Sequence, residues 1–406
     1  MFSGKKILVG VCGGIAVYKI CELVRELQRK NAIVRTMLTP DATRFVSPLT
    51  FESLTGAPAP VDLFQSYKNE IEHIELATWP DIVVVAPATA TTIAKFAHGI
   101  ADNLLTATFL ATRKNVLIIP AMNTGMWENP ATKDNIALLR SRGYTVVEPA
   151  YGRMASQREG VGVGRLPEYA VIVSHIFRNL WENKFLADVS VTITAGCTRE
   201  KIDPVRFISN YASGKMGFAL AEAAAAMGAD VTLVHGPTHI DPPSGIKSLQ
   251  VESAEAMFAA TKANYPLNGV LIGAAAVSDF RPAKFSNRKL KKDEAEFSIP
   301  LVKNPDILFE LKALKKKSVH VGFALETNDE IAYAKNKLKN KDLDLIVVNN
   351  PQDAGAGFSV DTNKVKILFA NGEIIDVPLM NKLLLSVEIL KNASTILKNQ
   401  NAADGR

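Results

Sequence analysis

Residues 189–225 read VSVTITAGCTREKIDPVRFISNYASGKMGFALAEAAA, and their reading decides the fold. A short apolar, β-branched run (VSVTIT) leads into an Ala195-Gly196 turn, a long polar loop and an alanine-rich helix. Strand, glycine turn and helix in that order begin an α/β nucleotide-binding unit, yet this beginning stands in mid-chain. Residues 5–27, KKILVGVCGGIAVYKICELVREL, hold another, with a Gly13-Gly14 turn and an amphipathic helix. Two beginnings predict two domains, 1–187 and 188–406, each a doubly wound, Rossmann-like α/β sheet, the first flavodoxin-like. The length of 406 residues agrees, because a single core rarely organises more than about 250–300 residues.

Composition narrows the class. Hydrophobic residues make up 47% of the chain, enough for two cores. The net charge of +6 is concentrated in residues 284–292 and 312–341, which suits either a polyanionic small molecule or a solvated face. No basic stripe interleaved with aromatics accompanies it, so nucleic acid is not an expected partner. Three cysteines without CxxC spacing argue against disulfides and thiolate metal sites. No apolar run reaches membrane-spanning length, and the first residues lead into a strand rather than a signal peptide. A cytoplasmic protein with no membrane partner is expected.

Residues 6–11 form a continuous apolar run, as a parallel strand covered on both faces requires. Gly13 and Gly14 then turn the chain tightly into a helix expected over 15–28, presenting N–H groups to a phosphate or forming an ordinary βα turn. The second strand, 33–38, ends in Thr39-Pro40 with no acidic residue to hold a ribose. That disfavours a dinucleotide dehydrogenase and favours a mononucleotide such as FMN. Strands expected over 81–86 and 116–120 are followed by the loops PATATT and PAMNTGMW, which should flank a pocket at the carboxyl edge of the sheet. Thr89, Thr91 and Thr92 offer hydroxyls there to a phosphate or a flavin edge, or a helix cap. Asn123 can read a carboxylate, and His73, between Glu72 and Glu75, is a general-base candidate or a structural histidine.

Taken together, GGIAVYK, HIEL, PATA, GIADNLL and PAMN resemble the flavin-dependent cysteine decarboxylases over residues 5–173. The resemblance is to the decarboxylase half of the bifunctional phosphopantothenoylcysteine decarboxylase/phosphopantothenate–cysteine ligases of coenzyme A biosynthesis. It implies FMN held by Gly13, Gly14, Ile15, Thr39, Pro87, Thr89 and Thr91. It also implies an essential His73 and an Asn123 that binds the substrate carboxylate. One feature departs from the family pattern. The flap ahead of Gly162-Val163-Gly164-Arg165 usually carries a cysteine that donates the final proton, and residues 153–165 contain none. Ser156 or, without a gap, Arg158 aligns with it.

In the second half, Ser213-Gly214-Lys215 superficially suggests a Walker A loop. Ser209 and Met216 break that pattern, so a P-loop NTPase is disfavoured. Further strands are expected over 230–235, 269–273 and 344–349, a hairpin turns at Asn371-Gly372, and a closing helix spans 383–397. The motifs TAGCTREKIDPVRFISN, SGKMG, AAAVSDF, KLKK, KNPDIL and VGFALET resemble the ligase half of the same bifunctional family over residues 188–393, Cys197 replacing the usual proline. The resemblance implies that Asn210 stabilises an acyl-cytidylate formed with the help of Lys289. CTP would be bound by Gly273, Ala274, Ala275, Asp279, Lys289, Pro305, Asp306, Ile307, Leu308, Phe323, Lys337 and Lys341. Asp279 would take the ribose or Mg²⁺, or else cap a helix; Lys289 read on charge alone is a solvated basic loop.

The implied substrates are 4′-phosphopantothenate, L-cysteine, CTP and 4′-phosphopantothenoylcysteine. The implied assembly is a homo-oligomer, with trimers building a dodecamer through the first half and dimers through the second. Two other readings stand beside this one: a monofunctional ligase carrying a flavin scaffold, and a non-catalytic regulatory flavoprotein.

Overall fold

The computed structural model describes residues 2–64, 72–155, 159–181, 183–290, 298–325, 330–350, 355, 357 and 360–404. The chain divides into two compact units, Met1–Glu182 and Asn183–Arg406.

The first unit runs β1 (Lys6–Val11), α1 (Val17–Arg29), β2 (Ile33–Leu38), α2 (Pro48–Thr55), α3 (Glu72–Thr78), β3 (Ile82–Ala88), α4 (Ala90–His98), α5 (Leu104–Ala111) and β4 (Asn115–Pro120). It continues with α6 (Thr124–Glu128), α7 (Pro130–Ser141), β5 (Thr145–Val146), the hairpin β6 (Ala150–Arg153) and β7 (Val161–Arg165), and α8 (Tyr169–Leu180). The sheet order is β2-β1-β3-β4-β5, every pair parallel, which is the flavodoxin-like winding. Val83, Val85 and Ile118 pack with Phe96 and Phe109, whose rings stack at 3.7 Å between centroids. Gly10 admits α5 to the sheet, since a Cβ there would meet Leu105 Cδ1 at 2.5 Å.

Helix α1 starts at Val17 rather than 15, because the Gly13-Gly14 turn closes with a Val17 N–H to Gly14 carbonyl bond of 3.0 Å. Helix α8 ends at Leu180. Trp181 leaves helical geometry there, and the Asn179 side chain folds back on the His175 carbonyl.

The second unit runs β8 (Ser190–Ala195), β9 (Arg199–Lys201), β10 (Phe207–Ser209), α9 (Lys215–Ala226), β11 (Asp230–His235), β12 (Lys247–Gln250), α10 (Ala254–Ala263), β13 (Val270–Gly273), β14 (Phe280–Pro282) and β15 (Leu301–Lys303). There follow α11 (Ile307–Leu311), β16 (Val319–Leu325), α12 (Glu330–Asn340), β17 (Leu345–Asn349), β18 (Thr362–Phe369), β19 (Ile374–Asn381) and α13 (Lys382–Asp404). The sheet order is β12-β11-β8-β13-β16-β17-β18-β19. Its first six strands are parallel in doubly wound order and the last two antiparallel.

Strand β16 carries no sequence signal of its own, because His320 and Gly322 interrupt its apolar run. His320 is nevertheless fully buried, its Nε2 paired with the Tyr265 hydroxyl at 2.6 Å. Burial, with Lys315 adding to it, pushes its imidazole down to about 4, so it stays neutral at physiological pH. Among the described residues no helix is long and apolar enough to cross a membrane.

Helix α9 lies hard against β8, since a Cβ on Gly217 would meet Ala195 Cβ at 2.4 Å and backbone at 3.1 Å. Gly217→Ala is therefore expected to destabilise the second unit by about 1–3 kcal/mol, the usual range for overpacking. Urea unfolding followed by far-UV circular dichroism measures it. Trp79, Trp127 and Trp181 all lie in the first unit, so tryptophan fluorescence is the poorer probe.

Candidate functional site

Parallel strands end on one edge, and in the first unit that edge is stitched by backbone hydrogen bonds. Thr39 N–H donates to Val11, Cys12 to Pro87, Ala121 to Ala88 and Met122 to Gly164, at 2.9–3.3 Å. Thr39, the Gly13-Gly14 turn, Pro87 and the Asn123 loop thus share one rim, with the β6–β7 hairpin fastened to it. The hairpin sits close. A Cβ on Gly162 would fall 2.2 Å from Thr124 Oγ1, and one on Gly164 (φ +149°) 2.1 Å from the Met122 carbonyl oxygen.

Gly13 is pinned to the residues after β2, because a Cβ there would meet Asp41 Cβ at 2.5 Å and its backbone carbon at 2.8 Å. At Gly14 a Cβ would meet nothing within 4 Å, and Ile15 is 58% exposed. The turn is therefore open on the outer side and closed on the inner. Thr89 is the N-cap of α4, its hydroxyl accepting from Thr92 N–H at 3.2 Å, so the capping role is realised. Thr91 is exposed beside it. Asn123 caps α6 through Oδ1, which accepts from Gly125 N–H at 2.8 Å.

Helix α3 brings His73 to the same region. Thr112, just ahead of β4, donates its hydroxyl to the Ala77 carbonyl at 2.8 Å. Packed helices α3 and α5 therefore finish together at the amino edge of the sheet and begin toward the carboxyl edge. Arg35 fixes α3 laterally through Glu75 at 2.7 Å. Buried Thr39 Oγ1, Thr124 Oγ1 and His73 Nδ1 have no hydrogen-bond partner. Such atoms are expensive to leave unpaired inside a protein, and a polar ligand seated on this rim would pair them. The donor set fits FMN in this respect.

Cys12 lies below the turn, fully buried, and burial pushes its thiol up to about 11 despite hydrogen bonding to Thr92 and the Thr89 backbone. Cys21 is likewise raised by burial. Ser156 and Arg158 lie outside the described residues.

In the second unit the carboxyl edge encloses a cavity of about 660 Å³. Asn210, Gly273, Ala274, Ala275, Asp279, Pro305, Asp306, Ile307, Leu308, Phe323, Lys337 and Lys341 all line it. Gly273 lets α11 close on β13, since a Cβ there would meet Leu308 Cδ1 at 2.6 Å. Asn210 donates to the Val277 carbonyl at 3.1 Å. Asp306 caps α11, accepting from Phe309 N–H, and pairs with Lys341 at 2.8 Å. Asp279 is exposed and leads into β14, so it caps no helix. Among the described residues no group of three or more potential His, Cys, Asp or Glu ligands forms a metal cluster.

Lys289 stands apart. Its side chain is exposed and is not among the residues lining the cavity, and Lys291 and Lys292 lie outside the described residues. Its neighbour Leu290 is nonetheless tied to the β9–β10 turn, donating to Asp203 Oδ2 at 3.2 Å and accepting from Arg206 at 2.6 Å. Asn210 follows the end of that same hairpin. Other lining residues were not singled out from the sequence: Ser278, Asn304 and Lys215, although they lie within the motifs AAAVSDF, KNPDIL and SGKMG, and Lys382, which lies in none of the quoted motifs.

Three comparisons with known proteins bear on these sites. Residues 1–181 match the family described as Flavoprotein, and residues 186–397 that described as DNA/pantothenate metabolism flavoprotein C-terminal domain. The Coenzyme A biosynthesis bifunctional protein CoaBC of Bacillus subtilis (strain 168) is 44% identical over 407 residues, covering 98% of each chain. That of Escherichia coli (strain K12) is 40% identical over 404 residues, covering 98% of this chain and 99% of its own. Among solved structures, the C-terminal domain of a CoaBC protein is 40% identical, with a TM-score of 0.46, and spans 53% of this chain and 100% of its own.

Asp203 is 1% exposed and accepts N–H bonds from Val205, Arg206 and Leu290. Burial works to raise its carboxyl, but those bonds and the Arg206 charge outweigh it and hold it below the usual carboxylate range. The carboxyl is depressed in the fold, so its stabilising contribution is complete above the ordinary carboxylate pKa and fades as pH falls through the lowered value. Asp203→Asn should loosen the Lys289 segment at neutral pH. Faster tryptic cleavage after Arg288 or Lys289 is the expected readout, and unchanged cleavage would show that the anchor is unimportant.

Proposed function

The chain belongs to the family of bifunctional coenzyme A biosynthesis proteins, and from that premise we propose how its two units divide the work. The protein is a flavoprotein and an enzyme with phosphopantothenate–cysteine ligase and phosphopantothenoylcysteine decarboxylase activities. The likeness runs through both halves of relatives named bifunctional, which favours the bifunctional reading over a monofunctional ligase.

In the proposed division, residues 1–187 decarboxylate and residues 188–406 ligate. FMN would lie on the rim of the first unit, held by Gly13, Gly14, Ile15, Thr39, Pro87, Thr89 and Thr91. Bound there, it supplies an acceptor for the electrons that loss of CO2 would otherwise strand, and returns them afterwards. Asn123 has its Oδ1 occupied by Gly125 N–H, which leaves its amide donors for the substrate carboxylate. His73, with a buried unpartnered Nδ1, exchanges a proton with the substrate. Cys12 lies next to β1 rather than in the 153–165 segment, and burial makes its thiol a weaker acid than an ordinary cysteine, so no role in the final protonation is proposed for it.

The ligase reading has the 4′-phosphopantothenate carboxylate attack the α-phosphorus of CTP, breaking its bond to pyrophosphate and forming an acyl-cytidylate. The cysteine amine then attacks that acyl carbon and expels CMP. Asn210 and Lys289 stabilise the charge on the phosphoryl oxygens, and Mg²⁺ accompanies the triphosphate. The reading rests on one observation: a single cavity of about 660 Å³ is lined by residues from widely separated segments of the chain, among them Asn210, Gly273, Asp306, Phe323 and Lys337. A cytoplasmic homo-oligomer, with trimers and a dodecamer built by the first unit and dimers by the second, completes the proposal.

His73→Asn is expected to retain FMN absorbance and lose CO2 release from phosphopantothenoylcysteine; undiminished release removes His73 from the mechanism. Asn210→Asp and Lys289→Gln should each lower CTP-dependent ligation by at least about 100-fold, the scale for losing a transition-state donor. Decarboxylation should be unchanged in both. Mass analysis of the decarboxylation product tests the reductive finish: saturated thiol is expected, and an enethiol two mass units lighter would show that the cysteine-free flap cannot complete it.

A further inference from the structure

Two lysines of the ligase cavity have no part in the reading above. Lys215 is the first residue of α9 and Lys382 the first of α13; the two helices pack together, and both lysines line the cavity. A cation at a helix start opposes the helix dipole. Two such cations on neighbouring helices, one of them only 6% exposed, form an arrangement that folding alone disfavours.

Among their partners are neutral and solvent-exposed groups. Lys382 Nζ donates to two neutral acceptors, the carbonyls of Gly357 (3.0 Å) and Val360 (2.6 Å). Lys215 Nζ pairs with Asp361 Oδ1 at 2.7 Å, and the Asp361 carbonyl accepts the Lys382 backbone N–H at 2.9 Å. Burial, joined by the Lys215 charge and opposed by Asp361, holds the Lys382 ammonium below the usual lysine range. The Asp361 side chain is 78% exposed, so its pairing with Lys215 is screened by solvent and weak. An independent sign of a ligand is Ser278, 3% exposed, which lines the same cavity and whose Oγ has no partner.

We propose that Lys215 and Lys382 are positioning residues for the polyphosphate of the nucleoside triphosphate, and that Asp361 holds Lys215 until a phosphate oxygen takes its place. The inference rests on the nucleotide reading and adds the direction in which the nucleotide lies. Gly273–Ala275 and Phe323 belong to the β13–β16 side of the strand-order reversal, whereas α9 follows β8 on the other side. A nucleotide with its base on the first side extends its phosphates toward the paired starts of α9 and α13. Exchange is favoured by charge: Asp361 offers a single negative charge, a triphosphate several.

The test is calorimetric titration of the full-length protein with CTP, ATP and 4′-phosphopantothenate, each alone. Lys215→Met should weaken CTP binding about 10- to 100-fold, the scale for losing a bond to a charged group. Asp361→Asn should tighten it, and the gain should vanish in the Lys215→Met/Asp361→Asn double variant, which a merely structural role would not produce. Lys382→Arg, keeping charge and donors, should retain the affinity that Lys382→Met loses. Unchanged CTP affinity in Lys215→Met, or an Asp361→Asn gain that survives in the double variant, overturns the proposal. Loss confined to 4′-phosphopantothenate overturns the polyphosphate assignment. A wild type that prefers ATP overturns the pyrimidine reading, and the lysine comparison is then decided on ATP; one that binds no nucleoside triphosphate overturns both.

Discussion

Both units depend on one constraint of parallel sheets. Strands that run the same way deliver their carboxyl ends to one edge, and where the strand order reverses, the connecting helices part to opposite faces. The gap is a crevice lined by loops and helix starts, already rich in unpaired N–H groups. In the first unit the reversal lies between β1 and β3, beside the Gly13-Gly14 turn; in the second it lies between β8 and β13, beside Gly196 and Gly273. At Gly13 and Gly273 glycine is required by contact rather than flexibility. Gly13 and Gly273 each stand where a Cβ would strike a neighbouring segment at 2.5–2.6 Å, and enlarging either would spread the rim that the ligand must bridge.

What was legible in the sequence follows from this geometry. Lys6–Val11, Ile33–Leu38 and Asp230–His235 were readable residue for residue, the first as a nearly continuous apolar run and the other two because apolar and β-branched residues predominate in them. Strand β16 was hidden by His320, whose burial depends on Tyr265 from a loop about 55 positions away in sequence, as its hydrogen bond records. The cavity shows the same division. Residues in short motifs, such as Asn210 and Pro305–Leu308, could be named from local pattern, while Lys382 reaches the cavity only because β18 and β19 turn antiparallel and α13 returns along α9. No local signal announces that. Lys215 lies in a loop that fails as a Walker A sequence, yet as the first residue of α9 it lines the cavity.

Charge placement distinguishes a site from a surface in this chain. Lys95–Asp102 and Lys391–Glu388 are exposed pairs of opposite sign that any helical protein carries. The ligase cavity instead gathers Lys215, Lys337, Lys341 and Lys382 at one edge and gives Lys341 and Lys215 a carboxylate each, Asp306 and Asp361. Such carboxylates lower the self-repulsion of the lysines, and on the proposed reading a polyanion displaces them. On that reading the positive excess, read from composition as either a ligand site or a solvated face, serves as both. Residues 312–317 contribute mainly to the surface, whereas a few lysines separated by up to 167 positions make the site.

The first unit presents the opposite case, polar atoms without partners. Its rim leaves Thr39, Thr124 and His73 with buried polar atoms unpaired, which is costly inside a protein. The hairpin β6–β7 is fastened beside those atoms through Gly162 and Gly164 rather than through bulky side chains, which keeps its backbone against the Met122–Thr124 segment. In the proposed reading a proton needed late in the reaction comes from Ser156, Arg158 or water. Cys12 follows β1 and Cys21 lies on α1, both with thiols raised by burial, and neither is on the hairpin. A hydroxyl is a weaker acid than the flap thiol of the family pattern, so on this reading the close approach of the hairpin to the Met122–Thr124 segment, set by Gly162 and Gly164, matters most for the last step.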